Sequence, residues 1–357
     1  MRTISVTLRA KSETRYDIFL APALLGGVGR KMRAILKSAQ TVAVITDDNV
    51  KALYLQPVLD SLKQEGFNPV FFSVPPGEAS KSAEVLFSML NWLAENQLTR
   101  TDAIVALGGG VVGDSAGFAA ATYLRGIAFV QIPTTLLAMV DSSVGGKTGI
   151  DLPAGKNLAG AFYQPSMVLC DTDVLSTLPP EVFSDGNAEV IKYGMIRHPA
   201  LLEKLKDNPI EKQLDEVIEI CIGLKRDIVQ EDEFDLGERQ LLNFGHTIGH
   251  AIEKLSAYEI SHGRAVAAGM SIITRAAVRK NLCPPQCQTS LENLLALYGL
   301  PNQSNYAPKE IFEAALNDKK RAGAEITEIV PRTLGESVLR KMPVAELLEW
   351  IELGLEP

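Results

Sequence analysis

The sequence predicts an α/β domain with a parallel sheet (residues 1–177), followed by an all-α domain (residues 178–357). Three observations predict this fold class. A chain of 357 residues is long for a single apolar core. Apolar strand-like runs alternate with helical stretches up to about residue 178, and beyond it only helical spacing recurs. Strands that alternate with helices form parallel sheets, and ligands bind at the carboxyl ends of their strands.

The first half contains several strand-like segments. The N-terminal stretch MRTISVTLRAKSETRYDIFL alternates like a strand, and AEVLFSMLNWLAENQL has helical apolar spacing. The clearer strands are TVAVITDDNV (41–50), NPVFFSVPPGE (68–78), DAIVALGGG (102–110) and GIAFVQIPTT (126–135). In the second half the predicted helical segments are PALLEKLKDN, QLDEVIEICIGLKRDIVQEDE, ERQLLNFGHTIGHAIEKLSA, GRAVAAGMSIITRAAVRKN and TSLENLLALYGL. A cleft between the two halves is the expected place for a site.

Charge and composition exclude several classes of protein. The 35 basic and 43 acidic residues give a net charge of -8, which argues against a nucleic-acid surface. Because the N-terminus lacks a signal-peptide core and no apolar run reaches membrane-spanning length, a soluble cytoplasmic protein is expected. The four cysteines are expected to be reduced thiols without a metal or disulfide role.

A glycine-rich loop follows the third of these strands. Gly108, Gly110 and Gly113 fit G-x-G-x-x-G, in which the backbone and a helix N-terminus can hold a pyrophosphate. A tight strand-to-helix turn is the alternative, because no acid stands twenty residues on. Asp47, at the end of an earlier strand, is the better candidate for accepting hydrogen bonds from a ribose. Such a carboxylate favours NAD over its phosphorylated form. Glu78 in the PGEASK loop is either a further ligand or a solvated surface residue.

The stretch HTIGH places His246 and His250 one helical turn apart. The zinc protease motif requires a glutamate where Thr247 stands, so that class of enzyme is excluded. Glu189 and His262 offer further nitrogen and oxygen ligands of the kind a catalytic zinc needs. Spacing alone leaves open which histidine of the pair would bind a metal, and a histidine packed in the core is the alternative.

Basic residues recur near these positions, several of them flanked by glycine or small residues, which suggests a multiply charged anionic substrate rather than solvated surface lysines. They are Arg125, Lys147, Lys156, Lys192, Lys225, Arg239 and Lys319.

Six motifs in this order resemble the 3-dehydroquinate synthase family of sugar phosphate cyclases: GGGVVGDSAGFAAATYLRG, IPTTLLAMVDSSVGGKTGID, GKNLAGAFYQP, AEVIKYG, LNFGHTIGHAIE and HGRAVAAGM. The resemblance extends from Asp47 to the DKK sequence at 318–320. It implies an NAD-binding α/β domain, a helical domain, a divalent metal (usually zinc, with cobalt possible) between them, and a homodimer. One departure is Asp235, where the family usually has glutamate.

The resemblance also implies roles for single residues. It places the metal on Glu189, His246 and His262. It places NAD on Asp47, Glu78, Lys81, Gly110, Val111, Val112, Gly113, Asp114, Thr134, Thr135 and Thr177, with Lys147 and Lys156 beside them. It places the substrate on Asp141, Lys147, Asn157, Lys192, Lys225, Arg239, Asn243, His250 and one lysine of DKK, taken as Lys319, with Arg125 reaching in from the partner subunit.

The reaction implied is conversion of 3-deoxy-D-arabino-heptulosonate 7-phosphate to 3-dehydroquinate and phosphate. It proceeds by transient oxidation with NAD, phosphate elimination, re-reduction and intramolecular aldol closure. Lys225 and Arg239 suit the substrate carboxylate, which favours this reaction over an inosose or valiolone synthase. A metal-dependent polyol dehydrogenase and a non-catalytic metal-binding protein are further alternatives.

Overall fold

The computed structural model describes residues 15–319 and 325–356. The strands are β1 (Asp17–Ala21), β2 (Thr41–Asp47), β3 (Asn68–Val74), β4 (Ala103–Gly108), β5 (Ala128–Pro133), β6 (Lys147–Leu152), β7 (Gly155–Phe162), β8 (Met167–Asp171), β9 (Glu325–Thr333) and β10 (Glu336–Pro343). The α-helices are α1 (Val28–Ile35), α2 (Asp48–Val50), α3 (Gln56–Gln64), α4 (Ala83–Glu95), α5 (Gly110–Thr122), α6 (Pro180–Ile196), α7 (Pro199–Asp207), α8 (Leu214–Glu231), α9 (His246–Leu255), α10 (His262–Arg279), α11 (Pro285–Leu297), α12 (Pro308–Lys319) and α13 (Glu346–Leu355). Shorter 3-10 or π-helical turns lie at Leu25–Gly27, Lys51–Leu55, Glu78–Ser80, Tyr123–Arg125, Ala138–Ser142, Thr172–Thr177, Ile210–Lys212 and Glu238–Asn243.

Six parallel strands form the main sheet, in the order β1-β8-β5-β4-β2-β3. From β2 the chain moves outward to β3, crosses back to β4, and then continues towards the opposite edge. This reversal makes the gap between β2 and β4 the topological switch point of the sheet. Ligands of open α/β sheets bind at the carboxyl ends of the strands on either side of such a point.

Each central strand is buried on both of its faces. On β2, Val42 and Val44 belong to one apolar cluster, whereas Ala43 and Ile45 belong to a second cluster on the other face. Helices α1 and α3 cover the first face, and α4 and α5 cover the second. The first cluster continues into helices α6 to α13 of the second half, so both halves share one core.

In the second half, α10 packs against α6, α9, α11 and α13. Its contact with α9 depends on glycine. A Cβ at Gly269 would lie 2.1 Å from the carbonyl oxygen of Gly245. Gly245 itself has a φ of 78°, which favours glycine, and α9 begins at the next residue. The close crossing brings the first turn of α10 beside the histidines of α9.

The predicted α/β fold and helical second half agree with the structure, but the description of that half as all-α is wrong in one respect. Strands β9 and β10 form an antiparallel hairpin there. Ile326, Ile329 and Val330 of β9 are buried, and Gly335 (φ 77°) completes a two-residue turn. β-Branched residues followed by a short turn with glycine are a strand and hairpin signal. The sequence-based prediction missed it because the segment is polar overall.

Other elements were also missed, namely the β6–β7 hairpin, β8 and helices α6, α12 and α13. Of the predicted N-terminal strand, residues 1–14 lie outside the described part of the chain, and β1 represents the remainder. The last strand of the sheet ends at Asp171 and α6 begins at Pro180. The boundary between residues 177 and 178 stays a prediction. Within 15–319 and 325–356, no helix is both long and apolar enough to cross a bilayer.

We expect Gly269→Val to lower the free energy of unfolding by about 2 kcal/mol or more, because its side chain would collide with the backbone of α9. Gly223→Ala in α8 is the control, since its Cβ meets no atom within 4 Å and should raise stability by about 0.5–1 kcal/mol. Denaturant unfolding measures both. Equal stability of Gly269→Val and the unsubstituted chain would contradict the account of this helix crossing.

Candidate active site

A cavity of about 1360 Å³ lies where the carboxyl ends of β2, β3 and β4 face helices α9 and α10. Most residues predicted for the site line this one cavity. Those predicted for the nucleotide are Asp47, Glu78, Lys81, Gly110, Val111, Val112, Asp114, Thr134, Thr135, Lys147, Lys156 and Thr177. Those predicted for the substrate or metal are Asp141, Asn157, Lys225, Asn243, His246, His250 and His262.

The glycine-rich loop opens on the cavity at the switch point of the sheet. Helix α5 begins at Gly110, directly after β4, so the backbone N–H groups of its first turn lack helical partners and can bind an anion. Gly113 does not line the cavity. A Cβ there would lie 2.8 Å from the side-chain oxygen of Gln131, so this glycine lets α5 pack on β5. The loop therefore fits a pyrophosphate.

Two carboxylates at this end of the cavity form contacts that stabilise the fold. Asp47 Oδ1 accepts hydrogen bonds from the backbone N–H groups of Asn49 (2.9 Å) and Val50 (3.0 Å), and so caps α2. Asp114 Oδ2 lies 2.6 Å from Lys81 Nζ, which also donates to Asn157 Oδ1. Lys81 thereby connects helix α5 to the β6–β7 hairpin.

The three predicted metal ligands lie together. Glu189 Oε1 is 3.8 Å from His246 Nε2 and 3.4 Å from His262 Nε2. Tetrahedral zinc ligands at 2.0–2.1 Å from the ion are about 3.4 Å from one another. Glu189 is fully buried, and among the described residues neither of its oxygens accepts a hydrogen bond, although Lys192 forms an ion pair with Oε2. A buried carboxylate with two unsatisfied oxygens beside two imidazoles fits a divalent cation.

The electrostatics of these groups also suit metal binding. Burial, together with the charge of Lys192, holds the pKa of His246 well below its usual value, so this imidazole is neutral. Its Nδ1 lies 3.1 Å from the carbonyl oxygen of Phe244, which leaves Nε2 for a cation. Burial opposes ionisation of Glu189, but Lys192 together with His262 and His246 more than offsets it and lowers the pKa to about 2. Burial opposes protonation of His262, but the neighbouring carboxylates of Glu189 and Glu253 outweigh it and raise the pKa to about 10. A metal cation would compete with this proton for the His262 imidazole.

A group of buried charges surrounds Asp141. Lys225 Nζ is 2.7 Å from Asp141 Oδ1, and the Tyr193 hydroxyl donates to the same oxygen at 2.9 Å. Burial, reinforced by Lys192 and Arg239, lowers the pKa of Lys225 to about 8 despite the neighbouring carboxylate. Burial opposes ionisation of Asp141, but Lys225 and Lys192 hold its pKa well below the usual range.

Several predicted residues do not reach the cavity surface. Glu189 and Lys192 are buried beneath it. The Arg239 guanidinium is also buried and donates to the carbonyl oxygens of Gly145 (2.9 Å) and Glu233. Arg125 is exposed and outside the cavity, and the side chain of Lys319 is outside the described part of the structure.

Asp235 stands where a glutamate was expected. Its Oδ2 lies 2.5 Å from Lys147 Nζ, so the shorter carboxylate still reaches this lysine at the cavity mouth.

Two residues of the site were missed by the sequence analysis, Glu253 and Tyr193. Glu253 lies three residues after His250 and seven after His246, so the three side chains share one face of α9 (i, i+4, i+7). That spacing was available in the sequence. No comparable signal identifies Tyr193, which reaches Asp141 from α6 only through tertiary packing.

The similarity to known proteins extends over both halves of the chain. The family model described as 3-dehydroquinate synthase N-terminal matches residues 71–185, and the model described as 3-dehydroquinate synthase C-terminal matches residues 186–321. A curated relative, 3-dehydroquinate synthase of Streptococcus thermophilus (strain ATCC BAA-491 / LMD-9), is 43% identical over 346 residues, which cover 94% of this chain and 97% of the relative.

Two solved structures are similar over nearly their full length. One is 2-deoxy-scyllo-inosose synthase complexed with carbaglucose-6-phosphate, NAD+ and Co2+, with a TM-score of 0.84 and 27% identity over 95% of this chain and 97% of that one. The other is 2-epi-5-epi-valiolone synthase from Streptomyces hygroscopicus subsp. jinggangensis 5008 with NAD+ and Zn2+ bound, with a TM-score of 0.87 over 97% of this chain and 98% of that one. Its 23% identity supports the fold alone.

We expect His246→Ala to lose metal and His250→Ala to keep it, because His246 Nε2 lies 3.8 Å from the buried Glu189, whereas His250 is grouped with Glu253 instead of Glu189. The affinity of His246→Ala for zinc should fall by more than about a hundredfold, since loss of a direct ligand exceeds the 10–100-fold cost of losing an outer partner. Metal content after dialysis measures both variants.

His198→Asn is the control for this experiment. His198 caps α7 through Nδ1, which accepts from the backbone N–H of Leu201 at 3.0 Å, and asparagine can also cap a helix. This variant should bind metal normally. Equal metal loss in the variants of His246 and His250 would contradict the division of roles between them.

Proposed function

The chain belongs to the 3-dehydroquinate synthase family, and from that premise we propose that it converts 3-deoxy-D-arabino-heptulosonate 7-phosphate to 3-dehydroquinate and phosphate. One observation carries the proposal. A nucleotide crevice, a set of metal ligands and a group of buried cations all meet at a single cavity. Its cofactors are NAD and a divalent metal, zinc or cobalt, which are the groups bound in the similar cyclase structures.

The cofactors have separate places in this proposal. NAD would be held at the N-terminus of α5, with Asp47 and Glu78 beside it, and the metal by Glu189, His246 and His262. When bound, NAD supplies reversible hydride transfer and the metal supplies Lewis acidity towards a substrate hydroxyl. Lys192 keeps Glu189 ionised and thus able to hold a cation.

The remaining residues bind and orient the substrate. Lys225 presents a positive charge in a buried setting, where it interacts with an anion more strongly than it would in water. Asp141 holds Lys225, and Tyr193 in turn holds Asp141. His250, one turn after His246, faces the same cavity and is assigned to the substrate phosphate.

In the proposed function Arg239 supports the substrate pocket and does not contact the substrate. Its guanidinium joins the Gly145 and Glu233 backbone segments, and Lys147 lies two residues after Gly145. Arg239 thus shapes the pocket wall near the Lys147–Asp235 pair. We therefore assign the carboxylate of the substrate to Lys225 alone, rather than to Lys225 and Arg239 together.

Phosphate elimination needs a base close to the leaving group. The substrate phosphate can itself accept the proton, in which case the protein has to fix the phosphate against the carbon chain rather than supply a strong base. Lys147, Asn157, Asn243 and His250 are the cavity residues assigned to this task. Holding an open chain in one geometry also favours the final ring closure.

The main rival is another sugar phosphate cyclase, because an inosose synthase shares this fold with a TM-score of 0.84. A buried lysine suited to a carboxylate, together with 43% identity to a 3-dehydroquinate synthase, favours the first function. A polyol dehydrogenase would accumulate NADH, which distinguishes it.

We also propose a cytoplasmic homodimer. Arg125 is exposed and lies outside the cavity of its own chain, so its predicted substrate contact would require a second subunit.

We expect the heptulosonate phosphate to release phosphate without net formation of NADH, because the hydride taken up is returned within one turnover. A chelator should abolish phosphate release, and zinc or cobalt should restore it. Phosphate and absorbance assays on the same sample measure both quantities. Net NADH, or turnover of a hexose 6-phosphate alone, would contradict the proposal.

We expect the KM for the anionic substrate to rise as the pH increases through about 8, because Lys225 loses its charge there. In Lys225→Arg the cation stays charged, so the rise should move to a higher pH even if kcat falls. Steady-state kinetics between about pH 7 and about pH 10 measure the shift.

Lys204→Arg is the matched control, because Lys204 pairs with Glu216 at the surface. Its pH profile should follow that of the unsubstituted enzyme. The same pH dependence in Lys225→Arg would contradict the assignment.

A further inference from the structure

Glu253 is a buried carboxylate of α9 with only 2% of its side chain exposed. Each of its oxygens has one charged neighbour. Oε1 lies 2.8 Å from Lys156 Nζ. Oε2 lies 3.5 Å from His262 Nδ1 and, within the described chain, is buried without a hydrogen bond. Lys156 therefore holds one oxygen of the carboxylate, and the other oxygen faces His262.

His262 lies between two carboxylates. Its Nε2 is 3.4 Å from Glu189 Oε1, and its Nδ1 is 3.5 Å from Glu253 Oε2. A neutral imidazole carries one N–H and one lone pair. If Nδ1 keeps the proton and directs it at Glu253, the lone pair of Nε2 points to the Glu189 side, where the other ligands lie.

From this geometry we propose that Glu253 is a positioning residue that sets the tautomer and ring orientation of the metal ligand His262, and that Lys156 holds Glu253 in place. The inference rests on the proposed function, because it requires a metal at Glu189, His246 and His262. Outer carboxylates of this kind raise the basicity of a ligating histidine and restrict its rotation.

A rival arrangement uses Glu253 as a direct ligand. His250, Glu253 and His262 also offer ligand atoms within 4.8 Å of one another. However, an ammonium group lies beside each carboxylate, Lys156 at Glu253 and Lys192 at Glu189, so repulsion between cations does not separate the two arrangements. The Glu189 side is favoured because its Oε1 lies near two imidazole nitrogens, His246 Nε2 at 3.8 Å and His262 Nε2 at 3.4 Å.

Lys156 also has a second partner, since its Nζ lies 3.2 Å from Glu78 Oε1. Two carboxylates, one from each side of the cavity, raise the pKa of this partly buried lysine above its usual value despite burial. The lysine stays charged over the whole working range of pH. Its hold on Glu253 is therefore permanent rather than switched by protonation.

The test compares zinc affinity, measured by chelator competition, in the full-length enzyme and its variants. Glu253→Ala should bind zinc about 10–100-fold more weakly. Glu253→Gln keeps an acceptor for Nδ1–H and should lose less, which makes it the conservative rescue. The cobalt-loaded forms should also differ in visible absorption, because the orientation of a ligand changes its field. Lys156→Met should weaken zinc binding to an intermediate degree.

Glu292→Gln is the matched control. Glu292 accepts from Arg275 Nε of α10 at 2.6 Å, is largely buried, and takes no part in the cavity. It should bind zinc with unchanged affinity and give an unchanged cobalt spectrum. Thermal unfolding and NAD binding report on the fold of every variant. If Glu253→Ala does not fold, the reduced zinc affinity and altered cobalt spectrum of Glu253→Gln carry the test.

The outcomes separate the two claims. Absence of zinc binding to the unsubstituted enzyme would overturn the metal site of the proposed function. Normal zinc binding there, with the same affinity and cobalt spectrum in the Glu253 variants, would overturn only the positioning role. An equal loss in Glu292→Gln would also overturn it, because the effect would then be a general one of destabilisation. Loss of a second bound ion in Glu253→Ala would identify Glu253 as a direct ligand and contradict the inference.

Discussion

The buried carboxylate of Glu189 is the constraint on which the site depends. An ionised carboxylate removed from water costs several kcal/mol unless opposite charge compensates it. Lys192, three residues on in α6, supplies part of that compensation, and the imidazoles of His246 and His262 converge on the side left open. A divalent cation is the natural complement to such a group. The same charge balance explains why so many cations lie in the interior of an acidic protein.

Two features of chain topology bring the parts of the site together. The switch point of the sheet puts the end of β2 next to the glycine-rich loop after β4. The glycine-dependent crossing of α9 and α10 puts the histidines of one helix beside the first residue of the other. Neither feature involves a residue that does chemistry. Without them the same ligands would be separated along the chain by as many as 73 positions, from Glu189 to His262.

The sequence predicted the parallel α/β sheet because apolar runs and helical spacing are local properties. The predicted set of metal ligands, Glu189, His246 and His262, could not be obtained in this way. Spacing left His246 and His250 equivalent, and only the resemblance separated them, because the position of Glu189 depends on packing between helices. Arg239 shows a further limit. A cation next to a predicted pocket suggested a substrate contact, but the local loop turns its guanidinium to two carbonyl groups. Glu253 was visible as a helical neighbour of the histidines, yet nothing local indicates that His262 lies opposite.

The apolar cluster shared by the two halves has a consequence for cooperativity. Val44 in the sheet, Ile191 in α6 and Val266 in α10 belong to the same continuous core. A loss of packing in this core therefore weakens both halves, although a second, smaller cluster lies within the first half alone. The unfolding of this enzyme is expected to be a single event, in which the nucleotide crevice and the metal ligands disappear together. Either ligand, by binding only the native chain, protects the binding site of the other from denaturation.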